Sequence, residues 1–313
     1  MAKKTKSVYR VKNWKKYNES LVRRGDITLW FSEDVIAAWE HANQAVKVGR
    51  PFTYSDTAIE CLLALRELFQ LPYRQTEGLG RSLVKLMEVE VAIPDFTSLA
   101  KRAAKLNVSL EVAPSAGPID IVIDSTGLKI FGAGEWRSQA YRHPKRRTWR
   151  KLHLSINAAS QEIVAELLTS KKCDDADMVP PILAQIESPV AKMYGDGAYD
   201  KWKCYGVLER ETIQPVIPPR RSASIKKHGN CAGKPLPRDE AIRGIRRLGR
   251  RRWKEEVGYH RRSLVETSIY RLKRSFGSRL KNRRFENQHT EARLRCKLLN
   301  RFTQLGLPQF RWN

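Results

Sequence analysis

The sequence contains no apolar run long enough to cross a bilayer, and its basic N-terminus lacks the apolar core of a signal peptide. It has only five cysteines, which are scattered along the chain and form no CxxC pair. These absences argue against a membrane protein, a secreted disulfide framework and a zinc site. We therefore expect a cytoplasmic protein with reduced thiols and no membrane partner.

Acidic residues are scarce relative to basic ones. The 313 residues include 59 Lys and Arg but only 33 Asp and Glu, which gives a net charge of +26. A hydrophobic content of 41% indicates a globular chain, and the length allows two domains. So basic a protein usually meets a polyanion, and nucleic acid is the first candidate. A ribosome-associated or membrane-surface protein is the alternative.

Residues 1–115 are predicted to form a basic arm followed by a helical domain. Residues 1–24 carry nine Lys or Arg and one acid, Glu19, which suits contact with a phosphate backbone or, alternatively, a solvated arm. Apolar residues then recur at helical spacing up to about residue 107. The last predicted helix has Asp95, Thr97 or Ser98 as its candidate cap and presents Lys101, Arg102 and Lys105. This pattern favours helix-turn-helix DNA binding, although a bundle that only supports the core explains it too.

A Pro, Gly and Ser-rich stretch, EVAPSAGPID, marks a boundary, and residues 116–313 change character. The patterns predict three strands, a helix, a strand, a helix and a strand, which is an α/β order. Residues at about 220–258 are strongly basic, and we interpret them as an extended insertion. Its Trp253 either stacks on a displaced nucleic-acid base or serves as an apolar anchor.

Three acids stand out by their surroundings. Asp124 follows a buried strand, Asp196 lies between two glycines in YGDGAYD, and Glu266 lies in an otherwise basic helix. Strand ends of an α/β sheet are where functional sites collect. Three carboxylates without nearby His or Cys suit Mg²⁺ or Mn²⁺. Two such ions can activate a water or 3′-hydroxyl and stabilise the leaving oxygen of a phosphodiester.

The segment YHRRSLVETSIYRLKRSFG places four polar residues on one predicted helical face: Tyr259, Arg262, Glu266 and Lys273. An adjacent apolar stripe would pack on the sheet and hold Glu266 at the edge of a cleft, between two cations. A simple ion pair between Arg262 and Glu266, four residues apart, is the alternative.

These residues resemble a bacterial DDE transposase of the insertion sequence 5 family, most closely its insertion sequence 903 group. The resemblance covers nearly the whole length. It is carried by the Tyr-Arg-Glu-Lys spacing of that segment and by VIDSTGLKIFGAGEW, RRTWRKLHL, DGAYD and VIPPR. It implies a ribonuclease H-like catalytic core, a mixed sheet flanked by helices, with a basic insertion, preceded by an α-helical DNA-binding domain.

The resemblance also implies an activity. Asp124, Asp196 and Glu266 would be the catalytic acids that hold Mg²⁺, with two ions expected and Mn²⁺ able to substitute. The enzyme would bind the terminal inverted repeats of an insertion sequence, cut there and join the 3′ ends to target DNA, as a homodimer or higher assembly. A catalytically inactive DNA-binding repressor and a structure-specific nuclease are the alternatives. From their positions in the sequence, Asp120 is expected to have a structural or partly exposed role and Asp200 to cap the next helix. His153 is either a core histidine or a site residue.

Overall fold

A computed structural model describes residues 9–42, 51–130, 149–228 and 233–312. Parts of four predicted features lie outside these ranges. They are residues 1–8 of the basic arm, 131–136 of the motif VIDSTGLKIFGAGEW, 146–148 of the motif RRTWRKLHL and 229–232 of the insertion. The chain divides into two compact units, Met1–Asn107 together with Leu298–Asn313, and Val108–Lys297. No helix in the described ranges is long and apolar enough to span a bilayer.

The first unit is mainly helical. Its elements are β1 (Tyr9–Val11), α1 (Trp14–Arg23), α2 (Glu33–Ala37), α3 (Asp56–Leu68), α4 (Tyr73–Leu86) and α5 (Phe96–Ala103). Helices α3, α4 and α5 pack on one another. Of the three candidate caps, Asp95 caps α5, because its carboxylate accepts the backbone N–H groups of Thr97 and Ser98.

The second unit is built on a mixed sheet. Its first elements are β2 (Ile119–Ile130), β3 (Trp149–Asn157), β4 (Ile163–Ser170), α6 (Val179–Leu183), β5 (Val190–Tyr194), α7 (Trp202–Arg210) and β6 (Gln214–Val216). The strand order is β4-β3-β2-β5-β6. Strand β3 is antiparallel to β2 and β4, whereas β5 and β6 run parallel to β2. This confirms the predicted α/β order and the predicted mixed sheet.

The remaining elements follow the sheet along the chain. They are α8 (Pro237–Leu248), α9 (Arg250–Glu256), α10 (Ser263–Phe276), β7 (Arg279–Leu280), α11 (Phe285–Leu305) and β8 (Phe310–Trp312). Strand β7 extends the sheet by pairing with the end of β2, and β8 pairs with β1 in the first unit. Helix α10 packs on β2 and β3 through a buried stripe, as its predicted apolar face requires.

The central strand β2 separates two environments. Ile119, Ile121 and Ile123 belong to the apolar cluster that also includes α6 and α7 residues. Because side chains alternate along a strand, Asp120 and Asp124 lie on the opposite face, toward the side that α10 covers. Burial of the strand therefore fixes the direction in which Asp124 points.

The basic insertion is not extended, in contrast to the prediction. Its residues 237–256 form helices α8 and α9, which meet at Gly249, a residue with a positive φ of +79°. Proline at the start of α8 and two acids in its first turn favour that helix. Trp253 is buried, and a Cβ built on Gly244 would lie 2.7 Å from its ring. The structure thus favours the anchor interpretation of Trp253 over base stacking.

Asp200 does not cap helix α7, because Lys201 occupies that position. Its buried carboxylate instead accepts bonds from Arg238 Nε (2.6 Å), Arg238 Nη2 (3.1 Å) and the backbone N–H of Arg220 (2.9 Å). Burial alone would raise the pKa of Asp200, but these donors outweigh it and hold the pKa below its ordinary value. One carboxylate thus ties the insertion to the loop after β5.

Asp200→Asn should lower the free energy of unfolding by about 3–5 kcal/mol at neutral pH, because it leaves Arg238 without its buried partner. The loss of stability should reach its full size above about pH 4, because the pKa of an aspartate in an unfolded chain lies near that value. It should shrink as the pH falls through the depressed folded pKa, since the wild type then loses the same charge. Urea unfolding across pH measures this difference.

Asp177→Asn is the matched control, because the Asp177 side chain is 51% exposed and forms a surface ion pair with Lys203. Its unfolding midpoint should stay close to that of the wild type. Equal destabilisation by the two substitutions would contradict the role assigned to Asp200.

Candidate active site

The three predicted catalytic acids meet at one edge of the sheet. Asp124 lies within β2, and Asp196 follows β5, the parallel neighbour of β2. Glu266 lies in the first turn of α10. The pairing of β2 with β5 ends at Val122 and Tyr194, two residues before each aspartate, so the fold brings together two acids that are 72 residues apart in sequence.

The carboxylates converge on the Arg262 guanidinium. Its Nη2 atom lies 3.0 Å from Asp124 Oδ2 and 3.9 Å from Asp196 Oδ2. Its Nη1 atom donates to Glu266 Oε1 at 2.5 Å. The ion pair of Arg262 with Glu266, considered above as an alternative to a functional stripe, is therefore present, but it is one part of a cluster of four charges.

The backbone before α10 sets the position of Arg262. Gly258 has a left-handed φ of +67°, and Tyr259–Arg262 form a 3-10 turn, so the α-helix begins only at Ser263. The preceding Arg261 donates to Asp120 Oδ2 at 2.8 Å. Asp120 is thus structural, as predicted, and two adjacent arginines bind two acids on the same face of β2.

Asp196 is held by its own loop. Its Oδ1 atom accepts the backbone N–H of Ala198 at 2.8 Å, at the start of a short 3-10 turn. A Cβ on Gly195 would lie 3.0 Å from the Tyr199 ring, so the first glycine of the motif makes room for Tyr199. A Cβ on Gly197 would meet only the Pro218 carbonyl oxygen, at 3.8 Å.

The three acids differ in exposure. The Asp124 side chain is 17% exposed, that of Asp196 37% and that of Glu266 53%. Burial raises the pKa of Asp124, and the neighbouring carboxylates add to this, while the Ser125 N–H and Arg262 oppose it. Burial lowers the pKa of Arg262, but its carboxylate neighbours outweigh it and the net shift is upward. The arrangement keeps Arg262 charged.

Two further residues of the predicted stripe lie in the same unit. Tyr259 is half-buried. Burial raises the pKa of its phenol, and the three site acids raise it further. Lys273 is half-buried as well, and burial lowers its pKa. No ion pair to Lys273 is found within the described ranges. The stripe therefore includes a cation with no carboxylate partner in the described structure.

A buried charged cluster on the other face of β2 was not predicted. His153, which opposes Ser125 in the sheet, is fully buried and lies 3.3 Å from Asp175 Oδ1 through Nδ1. Lys151 donates to Asp175 Oδ2 at 2.7 Å. Burial would raise the pKa of Asp175, but hydrogen bonds from His153, Lys151 and Ser125 lower it. The Lys-x-His alternation in β3 was the sequence signal, since it places both side chains on one face.

The predicted DNA-binding residues of α5 are not equivalent. Arg102 stacks on Phe52 (4.2 Å to the ring centre), donates to the Tyr54 carbonyl oxygen (2.8 Å) and pairs with Asp56 at 2.5 Å. Lys101 is exposed, as is Lys105 just beyond the helix. Arg102 therefore serves the internal structure of the first unit, which weakens its assignment to DNA, while the two lysines remain candidates.

The donor set of the acidic cluster fits a hard divalent cation, since three carboxylates already share one positive charge. Their present spacing is that of ion pairs with a guanidinium. Across the parts of the chain that the structure describes, no group of three His, Cys, Asp or Glu side chains is spaced to hold a metal. The residues thus fit the ion by chemistry, with Arg262 between them.

The chain is similar to known transposases. A family model described as a transposase DDE domain matches residues 115–301, more than half of the chain, and a second model of the same description matches residues 22–133. Among solved structures, a piggyBac transposase in a synaptic complex with hairpin DNA, determined by cryo-electron microscopy, matches with a TM-score of 0.38 and 10% identity. That match covers 93% of this chain and 77% of the other.

Proposed function

Because the chain belongs to the family of transposases with a DDE domain, we propose that it binds the terminal inverted repeats of an insertion sequence, cleaves the DNA there and transfers the 3′ ends to a target. The sequence motifs support the narrower placement in the insertion sequence 5 family, insertion sequence 903 group. The observation that carries the catalytic part is the convergence of Asp124, Asp196 and Glu266 on one cationic position.

Asp124, Asp196 and Glu266 are proposed to hold Mg²⁺, with two ions expected and Mn²⁺ as a substitute. When bound, such ions supply an activated water or 3′-hydroxyl and stabilise the leaving oxygen. The chain's own part is to hold the carboxylates in place. The backbone N–H groups of Ser125 and Ala198 do this for Asp124 and Asp196, with donor distances of 2.8 Å.

Tyr259, Arg262 and Lys273 are proposed to hold the DNA phosphates beside the acids. Lys273 is half-buried without a carboxylate partner in the described structure, so a phosphate oxygen can stabilise its charge. Arg262 can bind a phosphate through two parallel N–H bonds, which lysine cannot do. Trp253 is left out of this set because its ring is used within the insertion.

The proposal is tested by incubating the full chain with Mg²⁺ and a labelled duplex that carries the terminal repeat, then sequencing the cut ends. We expect cleavage at the repeat end, strand transfer to a second duplex and loss of both reactions in EDTA. If the full chain, with its three acids intact, binds the repeat but does not cleave it, the repressor alternative is favoured. Cleavage of any branched duplex, regardless of its sequence, would favour the structure-specific nuclease.

Recognition of the repeat is proposed for the first unit. A fragment 1–115 would lack Leu298–Asn313, which belong to that unit and include the strand that pairs with β1. The full chain with Lys101→Ala and Lys105→Ala is therefore the better test. We expect about a tenfold loss of affinity for the repeat at 0.1 M salt and a smaller salt slope, as for the loss of two phosphate contacts.

The matched control for that test is Lys85→Ala, which removes an exposed lysine from the last turn of α4. It should bind the repeat like the wild type. Unchanged affinity of the Lys101, Lys105 variant would move repeat recognition to the insertion or the catalytic unit. A homodimer or higher assembly on DNA and a cytoplasmic, nucleoid-associated location are proposed with the same function.

A further inference from the structure

The two aspartates of the site each have one oxygen held by the backbone and one turned to Arg262. Asp124 Oδ1 accepts the Ser125 N–H and Asp196 Oδ1 accepts the Ala198 N–H, both at 2.8 Å. The Oδ2 atoms face the Arg262 guanidinium, at 3.0 and 3.9 Å from Nη2. The oxygens best placed to bind an added cation are therefore those that Arg262 already uses.

A divalent ion and the guanidinium cannot share these oxygens without strong repulsion. A Mg²⁺ ion bound at about 2.1 Å from Asp124 Oδ2 would come within about 5 Å of Nη2 in its present place. Two cations at that separation repel each other in any dielectric found near a protein surface. Each cation therefore weakens the binding of the other to the Oδ2 atoms.

We propose that Arg262 and a divalent ion use Asp124 Oδ2 and Asp196 Oδ2 alternately, so that Arg262 is a positioning residue that gathers the three carboxylates and is displaced when the ion binds. This inference rests on the divalent-ion chemistry proposed above. It gives Arg262 a role toward the protein's own acids, before any role toward a phosphate.

The surroundings of Arg262 allow the side chain to move while its backbone stays fixed. Arg261 anchors the turn to Asp120, so residue 262 remains at the start of α10. The Arg262 side chain is 23% exposed, and its other partner, Glu266, is 53% exposed. The guanidinium can therefore leave the aspartates on the solvent side and keep its contact with Glu266.

The charges of the cluster predict the sign of the effect. Three carboxylates and one guanidinium carry a net charge of −2, which one divalent ion balances. Arg262→Gln changes this to −3 and removes the competing cation. The affinity for a divalent ion should therefore rise, by on the order of tenfold, when Arg262 is lost.

The test is a titration of the full chain with Mn²⁺ alone, followed by electron paramagnetic resonance of the free ion, without DNA. We compare the wild type, Arg262→Gln, Arg262→Lys and the control Arg274→Gln, which removes an exposed arginine from the last turn of α10. Circular dichroism establishes that each variant is folded. We expect about tenfold tighter binding for Arg262→Gln, a smaller gain for Arg262→Lys and no change for Arg274→Gln.

Asp124→Asn identifies the binding that belongs to the cluster. If the wild type binds Mn²⁺ there, but Arg262→Gln binds it equally or more weakly, the alternation is overturned while the proposed ion chemistry stands. Should Asp124→Asn titrate like the wild type, no ion is bound by this acid, and both proposals fail. A Kd for Mn²⁺ that is about tenfold lower in Arg262→Gln than in the wild type supports the alternation.

Discussion

Asp124→Asn, Asp196→Asn and Glu266→Gln should each reduce strand cleavage by on the order of 10³-fold or more, as expected for groups that act as one unit. Each substitution removes one negative charge and one oxygen ligand but hardly changes the volume of the side chain. A hard divalent ion depends on carboxylate charge, so the loss should appear in the chemical step. Single-turnover cleavage of a repeat duplex measures it.

DNA binding should survive the same three substitutions, because removing a carboxylate from so basic a protein does not weaken its attraction to phosphate. Asp120→Asn is the matched control: it changes an acid on the same face of β2 that pairs with Arg261. It should keep cleavage within about tenfold of the wild type, since it acts only through the position of the turn. If any of the three variants retained near-native cleavage, the substituted residue would not be a catalytic acid.

The acidic cluster could be predicted from the sequence because its members have local signatures. Asp124 follows an apolar run, although β2 continues beyond it to Ile130. Glycines flank Asp196, and Glu266 is the one acid in a basic segment. The strand alternation also predicts the face on which Asp120 and Asp124 lie. These features depend on periodicity and on neighbours in the chain, which a sequence displays directly.

The contact between Arg262 and Asp124 could not be predicted in this way. It joins residues 138 positions apart, and it depends on a 3-10 turn where the spacing suggested a continuous helix. Glycine at 258 was the available signal, since its left-handed conformation interrupts the helix. The pair of Arg262 with Glu266 is local, and for that reason it was foreseeable as an alternative.

The insertion shows a different limit of sequence patterns. Residues 237–256 contain many arginines and few apolar residues, so the apolar periodicity is hard to detect. Of those apolar residues, only Ile242 and Trp253 are buried. Two short helices with so few apolar residues bury little surface, so polar contacts such as Arg238 with Asp200 contribute to holding them. Contacts of that kind depend on tertiary structure, and neither propensity nor periodicity reports them.

Arg262→Lys and Lys273→Ala should each reduce strand cleavage by about 10²–10³-fold, or about 2.7–4 kcal/mol of transition-state stabilisation, by analogy with the loss of one oxyanion-hole donor. Binding to the repeat should change far less. Lysine in place of Arg262 keeps the charge but loses the planar fork that reaches two carboxylates now and a phosphate in the proposed reaction. Alanine in place of Lys273 removes a half-buried cation that has no carboxylate partner in the described structure.

Arg274→Ala is the matched control, because it removes an exposed cation next to Lys273 from the same helix. Arg271 is less suitable, since one of its guanidinium nitrogens is buried. If general basicity of α10 governed catalysis, Arg274→Ala and Lys273→Ala would lower the cleavage rate equally, and the positional argument would fail. If the two cations act by position, Arg274→Ala should cleave like the wild type, with only a slightly smaller salt slope of binding.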